Sequence, residues 1–162
     1  MINIFFGCYQ QLPHGIPKLY KTKITIVQDG KPLQGVSIIA INEDFGSSPW
    51  TAGGITNQAG IIELKTQGKY NGLPLGRYSI TATKVETPAD LVLPKNVNTD
   101  QEIREYDRIL NEIQKNSFEV IDKKFRTQET TPLKIQVKPE TNIFTFDLGI
   151  SVREKVEANS QY

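Results

Sequence analysis

The sequence predicts an all-β fold: an antiparallel Greek-key β-sandwich of seven strands with one α-helix inserted near residues 100–115. Three observations lead there. Apolar and polar residues alternate with a period of two over several short stretches. Turns rich in Gly, Pro and Asn separate those stretches. A helical apolar period occurs in one place, whereas a parallel α/β sheet would need a helix after nearly every strand.

The first strand runs from Tyr20 to Val27, with Tyr20, Thr22, Ile24 and Ile26 on one face. Gln28-Asp29-Gly30-Lys31-Pro32 breaks it with hairpin chemistry, and Pro32 is expected at the bend because its ring fixes φ. Gly35 to Ile41 is β-branched and reads as the second strand. Trp50 to Thr56 is a short third strand, weakened by Gly53 and Gly54. Thr56 to Gly60 is a turn, where Asn57 can bond its own backbone and Gly60 can take a positive φ. Ile61 to Thr66 is the fourth strand, with Ile62 and Leu64 inward. Arg77 to Lys84 is the fifth, with Tyr78, Ile80 and Ala82 inward and Ser79 and Thr81 outward.

The period then changes. Thr99 is placed to cap a helix, with Glu102 three residues on to complete a capping box. Ile103, Tyr106, Ile109, Leu110 and Ile113 follow at helical spacing. Residues 118–128 carry no clear period. Leu133 to Val137 and Phe144 to Leu148 alternate again and give the last two strands, and from Glu154 the chain reads as a frayed polar tail. About a dozen inward side chains form the expected core: Ile24, Ile26, Val36, Ile38, Ala40, Ile62, Leu64, Tyr78, Ile80, Ile135, Phe144 and Phe146.

Composition limits the chemistry. A chain of 162 residues with 38% apolar side chains suits one domain. Nineteen basic and 18 acidic residues leave a net charge of +1, so no overall field favours nucleic acid. The single cysteine, Cys8, allows no internal disulfide, and one histidine, His14, leaves no set of zinc ligands and no histidine-dependent nucleophile pair in a Pro- and Gly-rich linker. No cofactor or metal is expected. Asp29, Asn42, Glu43, Asp44 and Asn57 supply loop oxygens, but their spacing matches no dedicated calcium loop. No apolar run reaches the ~18 residues needed to span a bilayer.

Asp29-Gly30-Lys31-Pro32-Leu33-Gln34-Gly35-Val36 resembles the entry of bacterial carboxypeptidase-regulatory-like domains, which have a transthyretin-like, Ig-like sandwich. Gly54-Ile55-Thr56-Asn57-Gln58-Ala59-Gly60 is similar to that family's G-x-T-[DN]-x-x-G turn, and Leu73-Pro74-Leu75-Gly76-Arg77-Tyr78 to its L-P-x-G-x-Y strand entry. The resemblance covers about Tyr20 to Gly149. These are turn residues, so the resemblance implies a fold and hardly an activity. Many such proteins are lipoproteins whose anchor cysteine lies shortly before the first strand. Phe5-Phe6-Gly7-Cys8 resembles the end of a lipobox, which implies lipidation of Cys8 and a cell-envelope location, periplasmic or on the surface. The apolar run before it covers only Ile2 to Phe6, with no basic residue ahead, shorter than a signal of roughly 7–15 apolar residues. Two readings therefore stand: a start upstream of Met1 with Cys8 lipidated, or an ordinary buried or linker thiol.

The expected organisation is a lipobox-like segment and tether at 1–19, the sandwich at 20–150 with its helical insertion at 98–128, and a polar tail at 151–162. The expected function is non-catalytic binding or scaffolding in the envelope, with a membrane contact through Cys8 and a polysaccharide or protein partner. Trp50 and Tyr70, both in glycine-rich loops, are the candidates for stacking on a sugar. An alternative is an accessory domain that docks through the helix face around Ile103, Tyr106 and Leu110. An enzyme is not expected. The ring-opening hydrolases that share the transthyretin-like fold depend on several histidines, and adjacent Glu43 and Asp44 are poorly placed to flank a glycosidic bond.

Overall fold

The computed structural model describes residues 12–44 and 50–156. In chain order the elements are β1 (Thr22–Gln28), β2 (Lys31–Pro32), β3 (Ser37–Asn42), β4 (Ala52–Ile55), β5 (Ile61–Glu63), β6 (Lys65–Thr66), β7 (Tyr70–Asn71), β8 (Gly76–Thr83), β9 (Val85–Glu86), α1 (Asp100–Asn116), β10 (Phe118–Glu119), a 3-10 turn at Lys123–Phe125, β11 (Lys134–Val137), β12 (Asn142–Asp147) and β13 (Glu154–Lys155). Among the described residues the fold is all-β apart from α1 and the short 3-10 turn, as the alternation predicts.

Two layers face one another. One sheet has the order β12-β1-β2, with β5 also on β1; the other has the order β11-β8-β3-β4-β6-β7. All seven predicted strands occur, the fourth split into β5 and β6 at Leu64. That split lets one stretch of chain leave the first sheet and enter the second, closing one side of the sandwich. Every pairing in the larger sheet is antiparallel, whereas β1 and β12 run parallel, Ile24 opposite Phe144 and Ile26 opposite Phe146. The sandwich is antiparallel as expected except at this pair, where the last strand returns beside the first in the same direction.

Ile24, Ile26, Val36, Ile38, Leu64 and Ile80 are fully buried between the layers, with Tyr78 and Ile135 close to it. Phe144 and Phe146 pack on this core while half-buried. Ser79 and Thr81 lie on the outer face of β8, as the alternation predicts, yet only 1% and 5% of each is exposed. The Glu43 and Lys134 side chains lie on Ser79, and the 3-10 turn packs against β8.

The turns depart from the reading in one place. Pro32 is in β2, opposite Val27, and the bend itself is Asp29-Gly30, with φ of 51° and 70°. Two successive positive φ values match the right-handed strand twist, and Asp-Gly supplies them readily. At Gly60, φ is 70° and a Cβ would stand 2.5 Å from the Ile26 carbonyl oxygen, so only glycine fits this turn.

The stretch without a clear period folds back onto the sandwich. Val120, Ile121 and Phe125 join the core. Antiparallel β9, β10 and β13 form a third, small sheet, and Gln28 Nε2 donates to the Val120 carbonyl at 3.0 Å across the junction. Within the segment expected as a tail, Glu154 and Lys155 pair with Glu119 and Phe118.

Candidate binding surfaces

Three segments meet at one end of the larger sheet. The Glu43 N–H donates to the Arg77 carbonyl at 2.9 Å, and the Gln67 N–H to the Thr51 carbonyl at 2.7 Å, which join the β3–β4 connection to β8 and to the β6–β7 turn. Asp44 Oδ1 accepts from Arg77 Nη2 at 2.9 Å and Nε at 3.2 Å, and Oδ2 accepts from the Arg77 backbone N–H at 3.2 Å. These donors, the guanidinium first, hold the Asp44 carboxyl below its ordinary range. Asn42 Oδ1 accepts from the Asp44 N–H at 2.8 Å and fixes the turn.

Beside this pair, Glu43 Oε1 accepts from Lys134 Nζ at 2.6 Å and from Ser79 Oγ at 2.7 Å, which lowers its pKa. Lys134 Nζ also donates to Ser79 Oγ at 2.6 Å. These three contacts make the trio a polar clamp that ties the end of β3 to β8 and β11.

The two aromatics proposed for sugar stacking stand on neighbouring segments of this end. Trp50 is half-buried just ahead of Thr51. Tyr70 is in β7 rather than in a loop, with 8% of it exposed, and Lys69 Nζ lies 5.2 Å from its ring centroid. The Thr66 hydroxyl donates to the Gly72 carbonyl at 2.6 Å, and Thr66 pairs with Tyr70, so the hairpin draws the ring inward. A shallow groove of about 300 Å³ crosses the outer face nearby, lined by Ser37, Ile39, Gly53, Ile55 and Gln67. Its floor needs Gly53, whose Cβ would meet the Ile38 carbonyl oxygen.

The remaining loop oxygens accept backbone N–H groups. Asn57 Oδ1 accepts from the Ala59 and Ile61 N–H groups, and Asp29 Oδ1 from the Ser151 N–H. His14 is exposed in a turn of the leading segment. Cys8 and the lipobox-like residues before it lie outside the described residues.

The helix is a second surface. Thr99 caps it with φ of −123° and the capping box is complete, as the sequence predicts. Arg108 pairs with Glu105 and Glu112, each at 2.7 Å, along its polar side. Tyr106, Ile109, Leu110 and Ile113 are half-buried and Ile103 is 47% exposed. None of its 17 residues is buried.

Sequence reading missed Glu119. It is buried, and its Oε2 atom makes no hydrogen bond among the described residues. Arg126 Nε lies 3.9 Å away, while that nitrogen donates to the Ile121 carbonyl at 2.7 Å and Nη2 to Glu154 Oε2 at 2.7 Å. Burial raises the Glu119 pKa; Arg126 opposes this and Glu154 adds to it. The available signal was one acid inside the apolar run Phe118-Glu119-Val120-Ile121.

No family model and no curated protein matches the chain. Among solved structures it is similar to a variant of BcpA, the major pilin subunit of Bacillus cereus, with a TM-score of 0.43 and 14% identity over 82% of this chain and 30% of the pilin. It is similar to BcpA itself with a TM-score of 0.42 and 12% identity, over 86% of this chain and 31% of the pilin. A 9R-lipoxygenase from Cyanothece PCC8801 gives a TM-score of 0.32 and 14% identity over 88% of this chain and 18% of the enzyme. The chain thus spans less than a third of the length of each of these structures. Likenesses at these values carry no assignment of family or activity; the β-sandwich stands on the strand pairing and core described above.

Proposed function

We propose that this domain is a non-catalytic binding and scaffolding module of the cell envelope, and that α1 is the element through which it docks on a partner protein. One observation carries the docking reading: a capped helix with an apolar stripe has no buried residue, while the sandwich core closes without it. Such a stripe ordinarily packs on its own domain, since short helices gain most of their stability from that packing. An apolar groove on a partner would take Ile103, Tyr106, Leu110 and Ile113 as anchors. The envelope location is supported by the position of Cys8 before the first strand and by the family resemblance. The sugar-stacking alternative is weakened by the burial of Tyr70, which leaves Trp50 as its main ring.

The experiment is a pair of measurements on one variant set. Photo-crosslinking residues placed in cells at Ile103 and Leu110 are expected to give an adduct that the same residues at Arg104 and Asn111 do not. In the purified chain, Leu110→Ser is expected to cost less than ~1 kcal/mol of stability, as at a surface position. A loss of ~2–5 kcal/mol, the size seen when a core leucine is truncated, would make the stripe structural and end the reading.

A further inference from the structure

We propose that the chain forms a two-fold homodimer by antiparallel pairing of β12 with β12 of a second copy, centred on Thr145. Among the described residues β12 has one strand neighbour, β1. The Asn142 N–H donates to the Lys21 carbonyl and the Leu148 N–H to the Val27 carbonyl, at 2.8 Å each. In a parallel ladder the even-numbered residues between them face β1 in the same way. The N–H and carbonyl groups of Ile143, Thr145 and Asp147 therefore point to the opposite edge, which no other described strand occupies.

Such an edge is a template for another strand, and proteins usually blunt it with lysine, proline or a bulge. The sequence of β12, Asn-Ile-Phe-Thr-Phe-Asp, contains neither lysine nor proline. Its inner face leaves Phe144 and Phe146 half-buried, and its outer face leaves Ile143 67% exposed. A second strand beside it would use the open backbone groups and cover the two rings.

The order of residues selects a second copy as the occupant. Phe-Thr-Phe reads the same in both directions. An antiparallel partner centred on Thr145 sets Thr145 against its symmetry mate, about 5.5 Å apart at Cα, as a hydrogen-bonded pair. Phe144 then faces the mate's Phe146 on the inner side, and Ile143 faces the mate's Asp147 on the outer side. Aromatic pairs and threonine pairs at such directly opposed sites favour the register. A two-fold axis through the sheet makes the patch self-complementary and closes the assembly at two copies.

The test is sedimentation velocity on the full chain over a concentration series, with circular dichroism to verify folding. The wild-type chain is expected to show a concentration-dependent dimer. Thr145→Lys sets two ammonium groups opposite each other on the axis and is expected to weaken association at least ~10-fold. Its side chain is exposed in the single chain, so the fold and Tm should be unchanged. Ile143→Lys instead faces Asp147 of the mate, so its dimer is expected to persist and to weaken with added salt. A wild-type chain that stays monomeric up to ~0.5 mM overturns the proposal, whether the edge is then bare or taken by a strand of another protein. So does a Thr145→Lys dimer as strong as wild type, or equal loss in both lysine variants, which would remove the register.

Discussion

Replacing Thr99 by alanine tests how α1 is held. The helix has no buried residue, so its caps and intrahelical pairs carry a larger share of its stability than core packing does. Thr99 Oγ1 accepts from the Glu102 N–H at 3.3 Å, and Glu102 Oε2 accepts from the Asn98 and Thr99 N–H groups at 2.9 Å each. Removing the hydroxyl frees a first-turn donor, and such an N-cap loss costs about 1 kcal/mol. That is about a fivefold rise in the open population of the helix. Opening α1 leaves Ile24, Ile80 and Ile135 packed, so the cost is local. Native-state amide exchange is the assay: Ile103 through Ile113 should exchange about fivefold faster while β1 and β8 keep their rates and Tm stays put. Acid should act on the same cap. Asn98 and Thr99 donors lower the Glu102 pKa below 4.5, so its contribution is present above that value and is lost as the pH falls through the lower, folded one. Faster exchange spread evenly over β1 and β8, with a fall in Tm, would show that α1 is part of the cooperative core and refute the reasoning.

Two further outcomes follow from the packing. Gly60→Ala should destabilise the domain by at least ~2 kcal/mol in chemical denaturation, since a Cβ would meet the Ile26 carbonyl oxygen at 2.5 Å and the Leu33 nitrogen at 2.9 Å in a left-handed backbone. Glu119→Gln should raise Tm near neutral pH and flatten its pH dependence. Burial raises the folded pKa above 4.5, so the folded state holds more protons than the unfolded one in the window above 4.5, and native stability falls as pH rises through it. Thermal melts from about pH 4 to pH 8 check this; a glutamine variant less stable than wild type at neutral pH would show that the Arg126 contact outweighs desolvation.

Period-two alternation at Thr22, Ile24 and Ile26, or at Tyr78, Ile80 and Ala82, determined which residues form the core, because a pleated strand has only two faces and one must leave water. Thr99 and Glu102 likewise marked the helix start, since a cap is a contact between residues three apart. Turn positions such as Gly60 were legible for the same local reason. What the sequence left open depends on partners far away along the chain. The parallel direction of β12 beside β1, the strand change at Leu64, and the packing of Val120, Ile121 and Phe125 all follow from which surfaces meet once the core closes. The same holds for the candidate surfaces. Tyr70 turned inward because Thr66 pairs with it, Glu43 found Lys134 across 91 residues, and Glu119 became a buried acid only when β10 was set between β9 and β13. Local chemistry wrote the pleat, the turns and the cap; burial and charge pairing between distant residues required the assembled sheets, because those energies exist only where separate stretches of chain touch.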